Sequence, residues 1–400
     1  MNKIIKIVNI LFINLILSNL CCATVSDRDL IINGFNDFAF NLYHQQKTDD
    51  QNVIISPYSL SSLLGILVSG TAGNTRTQLM KVLSIKNIQN INHIPITLEN
   101  LTTTEVINKD QKLLAANALW ADKNFSYKQS FLNSIQQNKA IKFETLDFNH
   151  QPEASRQTIN QWVEQHTNNL IKDLMMHGSI TSYTRLVLTN AIYFKGLWES
   201  PFQSDNTQQK PFTLTNNHEI KTATMHQNDK FLYSDNDFMQ MLQLKYHNSN
   251  LAMAILLPKP KHSLAEVSKL LNTKIFFELV SMATPQLIDI SLPKFKFEST
   301  FDALTKTMQS LGLRDAFTDK ATFSNLSDDK LFISDIIQKA VIQVDEKGTV
   351  AAAATGIGFA TTAYVEPIVF NANRPFLFII FDTKSKIILF MGQVANPQTK

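Results

Sequence analysis

Apolar residues recur at Ile31, Phe35, Phe38 and Leu42, a spacing of three and four that predicts an amphipathic helix over about 28–46. Val53 to Ile55 reads as a short strand, and Ser56-Pro57 then gives a side-chain cap and a first-turn proline for a helix through Val68. Thr75 to Gln78 has the form of a capping box and predicts a further helix through Leu83. Residues 87–110 are polar without a clear period, which predicts irregular structure. Beyond them, strands are predicted at 113–120, 185–194, 239–244, 251–257 and 336–344, with Phe231 marking another. Helices are predicted at 125–137, 154–170, 263–271 and 301–311. Ile288, Ile290 and Leu292, then Phe295 and Phe297, alternate as a strand that changes face around Pro293. Residues 376–381 and 387–394 form a hairpin across a polar turn. Helices dominate the first half and strands the second, so the fold class is α+β rather than alternating α/β.

One stretch fits none of these patterns. Asp345 to Ala363 reads DEKGTVAAAATGIGFATTA, small and nearly uncharged, between two strand runs. Its four alanines are too short a run for a stable helix, and its composition is wrong for a surface loop. With period two, Thr349, Ala351, Ala353, Thr355, Ile357 and Phe359 share one face, while Val350, Ala352, Ala354, Gly356, Gly358 and Ala360 share the other. Such a segment suits a strand that slides late between two strands already in place. A linker or the tail of a buried helix is the plainer alternative.

Residues 1–23 differ from the rest. Lys3 and Lys6 precede an apolar run that ends at Cys21-Cys22-Ala23, the pattern of a secretory signal peptide cleaved near Ala23. Both cysteines of the chain lie in that leader, so a mature chain from 24 to 400 is a single domain without disulfides. It is expected outside the cell, or in the periplasm of a bacterial source. Loss of Lys3 and Lys6 leaves 35 basic against 34 acidic residues, a net charge of +1. That balance, with no basic block, gives no reason to expect nucleic acid, a polysaccharide activator or a membrane as partner. Glycine is scarce, at 11 residues against a usual share of about 7%, and no interdomain linker is apparent. The motifs of metalloproteases, α/β-hydrolases and P-loop enzymes are absent. Ser291 to Lys294 and Ser327 to Lys330 match S-x-x-K without its companion motifs, so no enzyme is expected. The nine histidines have no metal-ligand spacing, and neither a metal nor a cofactor is expected.

Val344 to Thr349, with the alanine run and Thr355, resembles the hinge of the reactive-centre loop of serpins, the serine protease inhibitor superfamily. Phe370 to Leu377, Phe390 to Gly392 and Asn396-Pro397 resemble that family's C-terminal signature. Asn52 to Ser59, Asn117 to Trp120, Asn160 to Val163, Thr189 to Trp198 and Leu292 to Phe295 fit it in order. The resemblance implies three mostly antiparallel sheets, eight or nine helices and an exposed reactive-centre loop over about 346–368. It also implies a monomeric suicide substrate whose cut loop inserts into the main sheet and carries the acylated protease with it. Residue by residue, Glu346, Gly348, Thr349, Ala351, Ala352, Ala353, Ala354 and Thr355 match the hinge. Trp198 matches the tryptophan under the point of first insertion, and Ser56, Ser59 and Asn190 the shutter midway down the sheet. Independently of the family, Ser56 is also read as a helix cap and Trp198 as core. Two positions depart from the family: Gln338 stands where a shutter histidine is common, and Val350 where the hinge usually has an acid.

The family's spacing from Glu346 places the scissile bond at Thr362-Ala363, which suits elastase-like proteases. Tyr364-Val365 is the alternative and suits chymotrypsin-like enzymes or a cysteine protease. No Arg or Lys lies between Lys347 and Arg374, so trypsin-like targets are not expected. A non-inhibitory carrier or chaperone is the rival reading.

Overall fold

The computed structural model describes residues 26–91, 93–94, 97, 107–108, 111–136, 141–301, 304–349 and 366–398. The leader, both candidate scissile bonds and hinge residues Ala351 to Thr355 lie outside these.

The first helix, α1 (Asp27–Gln46), is capped by Ser26, whose hydroxyl accepts from the Asp29 amide. After β1 (Val53–Ile55), α2 (Pro57–Gly70) begins at Ser56, whose side chain accepts from the Ser59 amide as the sequence predicts. The expected capping box at Thr75 is corrected: α3 (Gly73–Val82) has its cap three residues earlier, at Ala72. The Thr75 hydroxyl is instead buried and accepts from the Thr322 amide at 2.9 Å, a long-range partner that outcompetes the local cap.

Then come β2 (Ile107–Asn108), β3 (Gln111–Asp122), α4 (Gln129–Gln136), β4 (Ile141–Leu146), α5 (Pro152–His166) and β5 (Leu186–Leu197). Helix α4 is shorter than predicted because Asn124 and Tyr127 bond back to Asp122 and hold the chain in a turn. Next are β6 (Gln208–Thr213), β7 (Glu219–Asp235), β8 (Met239–Lys245), β9 (Leu251–Pro258), α6 (Leu264–Leu270) and α7 (Thr273–Met282). The chain continues with β10 (Thr284–Pro293), β11 (Phe295–Phe301), α8 (Leu304–Leu311), β12 (Ile333–Val344), β13 (Gly348–Thr349), β14 (Ile368–Asn371), β15 (Phe376–Asp382) and β16 (Ile388–Val394). The described residues thus hold eight α-helices in an α+β arrangement.

The strands join into a nine-stranded and a seven-stranded sheet. In the larger one, the 17-residue β7 pairs with β6, β8 and β10 and joins them into one sheet, so that the described strands form two connected sheets where the resemblance implies three. The seven-stranded sheet has the order β11-β12-β5-β3-β2, with β4 beside β3 and β13 beside the end of β5. Its inner face packs on the larger sheet through rings such as Phe295 against Phe376 and Phe378. Its outer face is covered by α5, where Ile159 and Val163 meet Ala191, Tyr193, Ile337 and Val341. With both faces covered, β5 is an almost unbroken apolar run.

Candidate functional site: a parallel seam with a docked hinge

Strands β5 and β12 meet in parallel, from Leu186 opposite Ile333 to Tyr193 opposite Val341. Their outer neighbours, β3 and β11, pair with them antiparallel. The seam between β5 and β12 therefore has the right polarity to accept an antiparallel strand. Such insertion would replace one parallel pairing with two antiparallel ones, and parallel pairing is slightly the weaker per residue.

Above Val341 the chain turns back on itself. The Asp345 amide donates to the Gly348 carbonyl at 2.9 Å and the Gly348 amide to the Asp345 carbonyl at 3.2 Å. Gly348 and Thr349 then pair antiparallel with Leu197 and Gly196. The first hinge residues thus sit at the head of the seam, pointed down it. Gly348 has a φ of +138°, and a Cβ there would lie 2.1 Å from the Gly196 carbonyl oxygen.

Thr349 is fully buried, with its hydroxyl 3.1 Å from the Tyr246 phenol oxygen. Tyr246 stacks on Trp198 with centroids 4.7 Å apart and meets Phe194 edge-on at 4.9 Å. Burial pushes the Tyr246 phenol far above its ordinary range, so it stays neutral. The Trp198 indole donates to the Asp345 carbonyl at 3.1 Å, its amide to the Lys347 carbonyl at 3.1 Å, and the Phe202 amide to the Glu346 carbonyl at 2.8 Å. Trp198 is thus core, as the plain reading has it, and also the floor of the hinge.

The Glu346 carboxylate is clamped by Lys294 at 2.8 and 3.0 Å and by the Thr207 hydroxyl at 2.7 Å. Burial alone would raise its pKa; the bonds from Lys294 and Thr207 outweigh that and lower it. The sign of the pH effect follows. Docking gains from this carboxylate above the ordinary glutamate pKa of about 4.3 and loses that gain as the pH falls through the lower docked value. Acidification into that window is expected to loosen the hinge, read as a change in tryptophan emission, and Glu346→Gln is expected to remove the transition. An identical acid transition in Glu346→Gln would assign it elsewhere.

Midway down the seam, Gln338 and Asn190 face each other in register. The Gln338 amide nitrogen donates to Asn190 Oδ1 at 2.6 Å and to the Ser56 carbonyl at 2.9 Å, while its oxygen accepts from the Ser56 amide at 3.1 Å. Asn190 donates to Asn117, which accepts from the Ser59 hydroxyl at 3.1 Å. The Ser56 hydroxyl donates to the Leu389 carbonyl at 2.9 Å. All five side chains are buried. The Gln338–Asn190 bond crosses the seam and must break before a strand can enter, at a net cost of about 0.5–1.5 kcal/mol.

The structure therefore brings Glu346, Gly348, Thr349 and Trp198 together at the head of the seam, and Ser56, Ser59, Asn190 and Gln338 at its middle. Sequence reasoning did not single out Tyr246, Lys294, Thr207 or Asn117 as site residues. Asn117 and Lys294 lay inside quoted motifs without a role there; Tyr246 and Thr207 did not, and all four are brought to the site by sheet order.

A family model described as Serpin (serine protease inhibitor) matches residues 33–397. The chain belongs to the serpin family. A serpin-like protein of Methanosarcina acetivorans is 35% identical over 91% of this chain and 85% of its own length. Human antithrombin-III is 33% identical over 91% of this chain and 81% of its own. Among solved structures, uncleaved ovalbumin superposes with a TM-score of 0.85 at 27% identity, covering 92% of this chain and all of that one. Human thyroxine-binding globulin with its bound hormone superposes with a TM-score of 0.83 at 27% identity, covering 94% of this chain and all of that one. The family is one of serine protease inhibitors in general, the class that the sequence resemblance implies.

Proposed function

We propose that this serpin is a secreted suicide-substrate inhibitor of an elastase-like or chymotrypsin-like serine protease. The carrying observation is the hinge itself, docked antiparallel on β5 at the head of a parallel seam. Thr349 points inward to Tyr246. By period two, that assigns Ala351, Ala353, Thr355, Ile357 and Phe359 to the inner face of an inserted strand. Burial of Ile357 and Phe359 would each contribute about 1.5–3 kcal/mol. Val350, Ala352 and Ala354 would face α5, where only small or apolar residues fit.

Cleavage after Thr362 would leave thirteen residues beyond Thr349 to fill the seam, with the protease esterified to the last. Drawing that residue down the sheet moves the protease away from the loop's original site and deforms it before water releases the ester. In mixtures with elastase, chymotrypsin, a cysteine protease and trypsin, a detergent-stable adduct is expected with elastase, together with a released peptide beginning at Ala363. A peptide beginning at Val365 would move the bond to Tyr364. Turnover of the loop by every protease without an adduct would overturn the inhibitory reading. A carrier is the second reading, favoured by the likeness to a serpin solved with bound thyroxine. It predicts little gain in melting temperature on loop cleavage, whereas an inhibitor gains greatly.

A further inference from the structure

Helix α5 lies over the seam like a flap. Its neighbours in the chain, β4 and β5, both pair with β3, so both of its connections run to one side of the seam. Ile159 and Val163 nevertheless reach across it and cluster with Ile337 and Val341 of β12 as well as with Ala191 and Tyr193 of β5. A strand entering between β5 and β12 would take them from about 4.8 Å apart to about twice that distance. Helix α5 cannot keep both sets of contacts through that step, so it has to lift. What resists lifting sits one residue from Val163. Trp162, half-buried, meets the fully buried Trp120 of β3 edge-on with centroids 5.3 Å apart. The Lys142 ammonium of β4 stands 5.3 Å from the centroid of each ring, and the Glu144 carboxylate holds it there. The Trp120 indole donates to the Thr189 hydroxyl of β5 at 2.8 Å, which fixes that ring. The Lys142 side chain is 34% exposed, and a cation–π contact gains as its cation is withdrawn from water.

We propose that Lys142 is a positioning residue for inhibition: over the Trp120 and Trp162 rings it pins α5 to β3 and β4, and release of that clamp sets how fast the seam opens to the loop. Val163 cannot rise from the seam without tilting Trp162 against Trp120 and away from Lys142. Insertion competes with hydrolysis of the acyl-enzyme, so the clamp trades closure of the uncut protein against the fraction of protease trapped. The brake rests on the inhibitory reading, whereas the clamp itself is measured without a protease.

The test compares the full chain with Lys142→Met, which keeps the length of the side chain and removes its charge, and with Lys142→Arg, which keeps the charge. Amide exchange at Trp162 and Val163 is expected to quicken about three- to tenfold in Lys142→Met and to match the unaltered chain in Lys142→Arg, while β9 and β15 exchange as before. Rapid-quench formation of the detergent-stable adduct at saturating elastase is expected to speed by a similar factor in Lys142→Met alone. Unchanged exchange in α5 would overturn the clamp. Faster exchange in every element would mark a general loss of stability and overturn it too. Faster exchange confined to α5 with an unchanged rate of trapping would overturn the brake and leave the inhibitory reading intact. No adduct from the unaltered chain would overturn that reading and the brake with it.

Discussion

Arginine in place of Thr349 is expected to turn the inhibitor into a substrate. Thr349 has no solvent exposure, pairs with Gly196 and lies against the Tyr246 hydroxyl. A guanidinium cannot shed its charge at any working pH, and an unpaired charge at such a site costs several kcal/mol. Because Thr349 sits at the head of the seam, the whole loop must follow it in. A barrier raised by about 2.7 kcal/mol slows insertion about 100-fold, while hydrolysis of the acyl-enzyme keeps its rate. The ratio of serpin cleaved to protease trapped is expected to rise from near one to well above about ten. Thr349→Ser, which keeps the hydroxyl and the size, is expected to leave that ratio unchanged. Trapping by Thr349→Arg at the wild-type ratio would show that the hinge does not enter the sheet at this residue.

Gly348→Ala is expected to undock β13 without unfolding the protein. Its φ of +138° suits glycine, and the added Cβ would meet the Gly196 carbonyl oxygen at 2.1 Å, a backbone atom that cannot step aside. The amides of Trp198 and Phe202 donate to the Lys347 and Glu346 carbonyls, so their hydrogen exchange reports the docked state. Strain of about 1.5–3 kcal/mol is expected to speed their exchange by about 10- to 100-fold. Amides of β9 and β15, in the larger sheet, are expected to exchange as before. Unchanged protection at Trp198 and Phe202 would mean that the hinge is held by something other than this pairing.

The hinge residues Glu346, Gly348 and Thr349, the shutter serines, Asn190 and Gln338 were legible in the sequence because each lies within a local run of recognisable order. Their partners were not. Tyr246 lies 103 positions from Thr349, and Lys294 lies 52 from Glu346; only the sheet order brings them together. The same limit explains Thr75, whose local pattern suggests a cap but whose hydroxyl is taken by Thr322. Helix α7 was missed although Asn272 caps it, with its side chain accepting from the Ile275 amide, because its apolar positions lack a long repeat. The first half of β7 and all of β6 were missed because they carry polar and charged side chains on their exposed face. The replacement of histidine by glutamine at 338 was visible in the sequence. The structure adds that its amide spans Ser56 and Asn190, so no titrating group bridges the seam there.

The most direct test is a covalent lock across the seam. Ala191 and Lys339 face each other in register on β5 and β12. Neighbouring strands lie about 4.8 Å apart, within the Cα separation a disulfide accepts. From residue 24 onward the chain has no cysteine, so Ala191→Cys with Lys339→Cys supplies the only thiols. Reduced, this variant is expected to form the detergent-stable adduct with its protease. Oxidised, it is expected to be cleaved as a plain substrate, with no adduct and no gain in melting temperature. Equal trapping by the two forms would contradict insertion between β5 and β12.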